Sequence, residues 1–173
     1  KFVGAIVVLP IVILLRVVAP IYRIRFGFFI TDRIGHFAFD LEYYLSQRRQ
    51  DSSTNRAHDL FFLKGRSANK QLETICKRNV QVNGLVRLLF LANRFVPGSS
   101  KFEVLPARIG CESRDKEGIF RKVPGQSQLL KFEIENGWQQ LEKLGMRRGD
   151  RFVCLIVRDS AYLENTFSNK DWK

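Results

Sequence analysis

The sequence predicts an α/β fold organised around a parallel sheet, and three observations lead there. Phe152-Val153-Cys154-Leu155-Ile156-Val157 is an unbroken apolar run rich in β-branched residues, which is how a strand buried on both faces reads. Segments of strand character and of helical periodicity alternate from Tyr22 to Phe95, the pattern of parallel strands joined by crossover helices. The composition is globular, with 45% hydrophobic and 27% charged residues in 173, enough for one domain or one and a fraction.

The elements follow in order. Phe2 to Leu15 carries no charge, and the apolar character continues past Arg16 to Tyr22. A bilayer span needs about 20 apolar residues, so residues 1–22 are expected to form a membrane-spanning or interface-lying helix, with a buried soluble helix as the alternative. Pro10 would kink such a helix without forbidding it in a membrane. No small-residue cleavage motif follows, which disfavours a cleaved signal peptide. Arg16, Arg23 and Arg25 at its end keep the remainder on the cytoplasmic side of the cytoplasmic membrane.

Tyr22 to Ile30 alternates and is aromatic-rich, a strand. Thr31-Asp32-Arg33-Ile34-Gly35-His36 is a polar turn. Phe37, Leu41, Tyr44 and Leu45 then mark a helix from about His36 to Arg49. Gln50 to Arg56 reads as a loop and His58 to Leu63 as a second strand, with His58 structural. After the turn Lys64-Gly65-Arg66-Ser67, Ala68 to Arg78 is helical, with Leu72, Ile75 and Cys76 on one side. Asn79 to Asn83 is a short strand. Leu85 to Phe95 is a second amphipathic helix, stopped by Pro97-Gly98, with Arg87 and Arg94 solvated on its flank. Lys101 to Val104 adds a strand. Pro106 to Gln126 has weak periodicity and reads as a connection. Ser127 to Leu144 is a helix on Leu130, Ile134, Trp138, Leu141 and Leu144, ended by Gly145. A tight link, Met146 to Asp150, leads into the buried strand described first. The result is an apolar N-terminal helix over 1–22, a Rossmann-like domain over 23–105, a connection over 106–126 and the start of a second Rossmann-like domain over 127–173. The chain opens on Lys1 and stops mid-pattern at Asp171-Trp172-Lys173, which reads as part of something longer.

A net charge of +12 and a pI near 10.1 favour anionic partners: nucleic acid, anionic lipid or phosphorylated small molecules. The basic residues are scattered rather than blocked, which argues against nucleic acid. Cys76, Cys111 and Cys154 are far apart, with no CxxC or Cys/His cluster, so no metal site is expected. Reduced, cytoplasmic thiols are the simplest reading, and Cys154 is read as a core residue.

Two corners carry candidate chemistry. At the first, strand, glycine turn and helix start make an anion-friendly site. His36 can act there as a general base, because histidine changes charge near neutral pH; a helix-start histidine bonded to backbone explains it equally. Asp32 has the same two readings, a base or a turn residue. At the second, the strand turns polar at Arg158-Asp159-Ser160. Ligands sit beyond the carboxyl ends of such strands, where a guanidinium can fork onto phosphate oxygens. An Arg–Asp pair capping the strand is the bland alternative.

Ile24-Arg25-Phe26-Gly27 followed by Asp32-Arg33-Ile34-Gly35-His36-Phe37-Ala38 resembles the opening of a bacterial family of glycosyltransferases linked to surface polysaccharide synthesis. Asp59-Leu60-Phe61-Phe62, Leu144-Gly145-Met146, Phe152-Val153-Cys154 and Val157-Arg158-Asp159-Ser160-Ala161-Tyr162-Leu163 match it in the same order, so that the resemblance covers roughly residues 20 to 173. It implies the two-Rossmann-domain (GT-B-like) class, distantly similar to fucosyltransferases. The first domain would hold a glycan or lipid-linked acceptor and the second a nucleotide-sugar donor, with no metal and no cofactor. In fucosyltransferases an arginine of a His-x-Arg motif grips the diphosphate. Arg158 matches it, while Ile156 replaces the histidine and Asp159 a second arginine. The implied mechanism is glycosyl transfer, with His36 or Asp32 as the base and Arg158, Ser160 and backbone N–H groups stabilising the leaving diphosphate. Arg158, Asp159 and Ser160, with Arg33 and Gly35 at the first corner, form the expected substrate-binding set. A non-catalytic, membrane-anchored module binding an anionic ligand is the alternative.

Overall fold

In the computed structural model, residues 2–50, 57–107, 109 and 114–153 are described. The chain divides into two compact units, Lys1–Leu129 and Leu130–Lys173.

The first unit is a Rossmann-like α/β layer. Strand β1 (Arg23–Ile30) pairs in parallel with β2 (Ala57–Lys64) along its whole length, from Arg23 opposite Ala57 to Ile30 opposite Lys64. Helix α3 (Ile34–Gln50) crosses between them, and α4 (Lys70–Asn79) leads to the short β3 (Gln81–Val82) beyond β2. Helix α5 (Val86–Asn93) and a 3₁₀ turn (Ser99–Phe102) then return the chain to β4 (Glu103–Val104), on the far side of β1. The sheet order is β3-β2-β1-β4, all parallel.

The period of two decides which side chain meets which helix. Phe26, Phe28, Ile30 and Phe62 pack on one face against Val86 and Phe90 of α5. Phe29 and Phe61 pack on the other against Phe37 and Leu41 of α3 and Ile75 and Cys76 of α4. Phe26, Phe29, Phe37 and Phe61 are each at most 2% exposed, and burying one such ring contributes roughly 1.5–3 kcal/mol. Phe29 and Phe61 stack at 4.7 Å between ring centres. Gly27 has a specific purpose in this sheet. A Cβ there would lie 2.6 Å from the Phe61 ring and 2.7 Å from the Val104 carbonyl oxygen. Only a glycine lets β4 and Phe61 close on β1.

Local signals set the ends. The Asn69 side chain accepts the Leu72 N–H at 2.8 Å and caps α4. Gly98, at φ +75°, follows the end of α5 in a conformation that favours glycine.

The N-terminal segment differs from the expectation of one long helix. It forms α1 (Phe2–Val7) and α2 (Leu9–Val17), with Val8 between them. Pro10 explains the break, since its ring excludes a continuous helix but suits a first turn. Among the described residues no helix is long and apolar enough to cross a membrane. Ala5 and Val12 are instead buried against Ala92 of α5.

Two arginines also depart from expectation. Arg16, read as a membrane-flanking charge, turns under α5. It donates to the Pro97 carbonyl at 2.6 Å, to Asn93 Oδ1 at 2.7 Å and to the Asn93 and Val96 carbonyls at 3.2 and 3.3 Å. Its guanidinium also covers the Phe102 ring at 4.4 Å. The last carbonyls of a helix lack partners within it, and a cation there completes them. Arg94 is not simply solvated either. It grips Glu103 through Nε at 3.2 Å and Nη2 at 3.1 Å, because the chain's return into β4 sets Glu103 beside the end of α5.

The stretch expected to connect domains lies partly against α3. Ile119, in the short helix α6 (Ile119–Lys122), is buried with Tyr43. The Glu42 carboxylate accepts the backbone N–H of Gln126 at 2.6 Å and of Ser127 at 2.8 Å.

In the second unit, α7 (Lys131–Lys143) begins where Glu133 accepts the Leu130 N–H at 2.7 Å. It ends at Gly145, φ +90°, with Gly145 N–H to the Glu142 carbonyl and Met146 N–H to that of Leu141, the paired bonds of a Schellman stop. None of its residues is buried, the expected apolar stripe included. Phe152 and Val153 are irregular and exposed rather than the start of a buried strand. Residues 154–163 of that expected strand lie outside the described residues.

Candidate functional site

In an open parallel sheet, ligands bind beyond the carboxyl ends of the strands, where neighbouring strands are reached by crossovers in opposite directions. Here that point lies between β1 and β4, since the chain winds outward through β2 and β3 and then returns across β1 to β4. Asp32, Arg33, Gly35 and His36 are gathered there, on the loop after β1 and the first turn of α3. Asp32 and Gly35 are exposed, and Arg33 and His36 half-buried. A side chain added at Gly35 would meet nothing within 4 Å, so the backbone of this turn is open to an approaching molecule.

The floor of the corner is fixed by hydrogen bonds. Thr31 is fully buried. Its N–H donates to the Lys64 carbonyl at 3.0 Å, and its hydroxyl reaches the Lys64 and Gly65 carbonyls at 3.2 and 3.1 Å. Ala68 N–H closes on the Thr31 carbonyl at 2.7 Å. The loops after β1 and β2 are thereby locked together. Gly65, at φ +95°, lies close beneath Asp32, with its notional Cβ 3.4 Å from Asp32 Cβ. A tied floor holds Asp32 and the start of α3 in place before any ligand arrives.

Asp40 lies four residues after His36, on the same helix face. It is 1% exposed and borders a cavity of about 30 Å³ between α3, β1 and the chain leaving β4 at Leu105-Pro106, room for one water molecule. Sequence reading passed over Asp40. The signal was there: with Phe37, Leu41 and Tyr44 it occupies a position of the apolar stripe, where a carboxylate is out of place.

A second polar cluster sits at the opposite, amino-terminal end of the sheet. Asp59 takes two parallel bonds from Arg25, Nε to Oδ1 and Nη2 to Oδ2, both at 2.7 Å. Arg48 Nη1 and the Tyr44 hydroxyl each donate to Oδ2 at 2.8 Å. Burial, then the charge of Asp59 and its hydrogen bond, raise the Tyr44 phenol above its ordinary value, so it stays a donor. The parallel register sets Arg25 opposite Asp59, and both fall on the inward phase with Phe29 and Phe61. Two clefts of about 510 and 390 Å³ flank the cluster, and Arg48 borders both. Its geometry is that of a clamp fastening the end of α3 to β1 and β2. His58 lies 2.8 Å from Gln81 Oε1 and is stacked on Tyr22.

Arg158, Asp159 and Ser160 lie outside the described residues. Among the described residues, no group of three or more histidines, cysteines or carboxylates is placed to hold a metal ion. Cys76 is buried, and burial first, then Glu73, pushes its thiol up to about 12. No family model, no curated protein and no solved structure matches this chain.

Proposed function

We propose that this chain belongs to a glycosyltransferase that moves a sugar from a nucleotide-sugar donor to a cell-surface polysaccharide or other glycan acceptor. One observation carries the proposal: the sheet order β3-β2-β1-β4 sets the topological switch point between β1 and β4, and Asp32, Arg33 and His36 follow the carboxyl end of β1. The motif resemblance through Asp32-Arg33-Ile34-Gly35-His36 supports it. In this reading the first unit holds the acceptor. Residues from α7 onward begin a second Rossmann-like domain that holds the donor, in a GT-B-like arrangement.

The acceptor hydroxyl gives its proton to His36 or Asp32. The acceptor oxygen then bonds to the anomeric carbon as the bond from that carbon to the diphosphate breaks. The electron pair leaves with the nucleoside diphosphate. Arg158, Ser160 and backbone N–H groups meet the charge that develops on it.

The test is a thermal-shift panel of nucleoside diphosphates and their sugars on the full-length protein, with Arg158→Ala as control, followed by nucleoside diphosphate release in the presence of acceptor. One nucleotide class stabilises the wild type and loses its effect in Arg158→Ala. His36→Gln keeps that shift but lowers turnover by roughly 10²–10⁴-fold. Identical responses of wild type and Arg158→Ala to every nucleotide overturn the donor assignment. Binding without turnover would identify a non-catalytic module for an anionic ligand instead.

A further inference from the structure

The N-terminal segment inverts the usual order of an amphipathic helix. Surface helices turn apolar residues inward and charges outward. Between Phe2 and Tyr22 the only charge is Arg16. That arginine is turned inward, spent on the Pro97, Asn93 and Val96 carbonyls and on the Phe102 ring. Ala5 and Val12 fill the inward stripe against Ala92. The outward side is left to Val7, Ile11, Leu14, Val17 and Ile21, with exposures of 72%, 49%, 62%, 70% and 90%. Ile11, Leu14 and Val17 recur every three positions and share one side of α2, and exposed Val7 and Ile21 flank it on either end, making an aliphatic strip. Large exposed apolar strips mark sites of contact with a protein or a membrane.

We propose that this strip lies in the plane of a bilayer, sunk into one leaflet rich in anionic phospholipid, with the sheet unit resting above it. Three features select a lipid leaflet over a protein partner. The strip is purely aliphatic and offers no outward polar group that a partner's rim could bind. Its only charge is turned onto carbonyls of the same unit rather than outward with the strip. Exposed Arg23 follows the strip directly, on a chain with a net charge of +12, which matches an anionic headgroup layer. Two short helices broken at Val8 fit in-plane insertion and are too short to span. This surface involves none of the residues of the corner after β1, so the inference stands independently of the transferase reading.

The experiment is co-sedimentation of the full chain with vesicles of phosphatidylcholine alone or mixed with phosphatidylglycerol. Wild type binds the mixed vesicles, more weakly as salt rises. Leu14→Glu combined with Val17→Glu, both more than half exposed, lowers binding by at least about tenfold with an unchanged melting curve. Depth is read by brominated-lipid quenching in a Trp138→Phe, Trp172→Phe background with Val7→Trp, Leu14→Trp or Ile21→Trp. Equal quenching by bromines near the headgroups at all three positions is expected. Quenching of the position-14 probe from the bilayer centre would mean spanning and overturn the proposal. So would vesicle binding indifferent to the two glutamates, absence of binding, or self-association that those glutamates abolish.

Discussion

Replacing Asp59 by alanine removes the acceptor on which three side chains converge. The carboxylate is 1% exposed, while the Arg25 and Arg48 side chains keep 24% and 32% of their surface. Removing one partner of a fully buried ion pair typically costs about 3–5 kcal/mol, because the other charge is stranded. Here both guanidiniums can turn partly to water, which screens them and lowers that figure. Tyr44, more buried, loses its acceptor as well, at about 1 kcal/mol. A net loss of about 2–4 kcal/mol follows. Asp59→Asn keeps one acceptor oxygen and the shape, and falls between Asp59→Ala and wild type. Tyr44→Phe, which leaves both ion pairs, costs about 1 kcal/mol. Urea unfolding followed by circular dichroism reads all three as midpoint shifts at constant slope. If Asp59→Ala lies within about 0.5 kcal/mol of wild type, the range of an ordinary surface change, the cluster is not the clamp that joins α3 to the sheet.

Three further outcomes are expected. Gly27→Ala sets a methyl 2.7 Å from the Val104 carbonyl, and it destabilises by about 1–3 kcal/mol, with faster amide exchange around residues 103–104 as the sign that β4 has been pushed off. For Glu42, burial alone would raise the carboxyl, but the hydrogen bonds from Gln126 and Ser127 outweigh it and hold the pKa below its ordinary value. The carboxylate therefore stabilises the fold above the unfolded-state pKa, and that contribution is lost as pH falls through the lower folded-state value; Glu42→Gln should flatten the acid limb of a stability–pH curve and expose residues 124–127 to protease at neutral pH. Cys76, with its thiol raised to about 12, should resist iodoacetamide at pH 8 in the folded chain and react on unfolding, as read by mass spectrometry of its peptide.

The sequence by itself determined the local elements. Period-two alternation placed β1 and β2, period 3.6 placed α3, α4 and α5, and Asn69, Gly98 and Gly145 set ends, because these signals act between residues close in the chain. It also brought Asp32, Arg33, Gly35 and His36 to one corner, since a turn between strand and helix is local too. Tertiary structure alone decided what depends on distant partners. The sheet order, and with it the switch point between β1 and β4, required β4 to return beside Gly27. Arg16 turned inward because the end of α5 and the chain just after it, some eighty residues on, set carbonyl oxygens within its reach. Arg25, Tyr44, Arg48 and Asp59 met because parallel register and helix crossing superposed them. The apolar N-terminal stretch shows both sides: its hydrophobicity was plain in the sequence, but which residues face the protein and which face outward was settled only by packing, because a stretch apolar all round carries no stripe from which to choose.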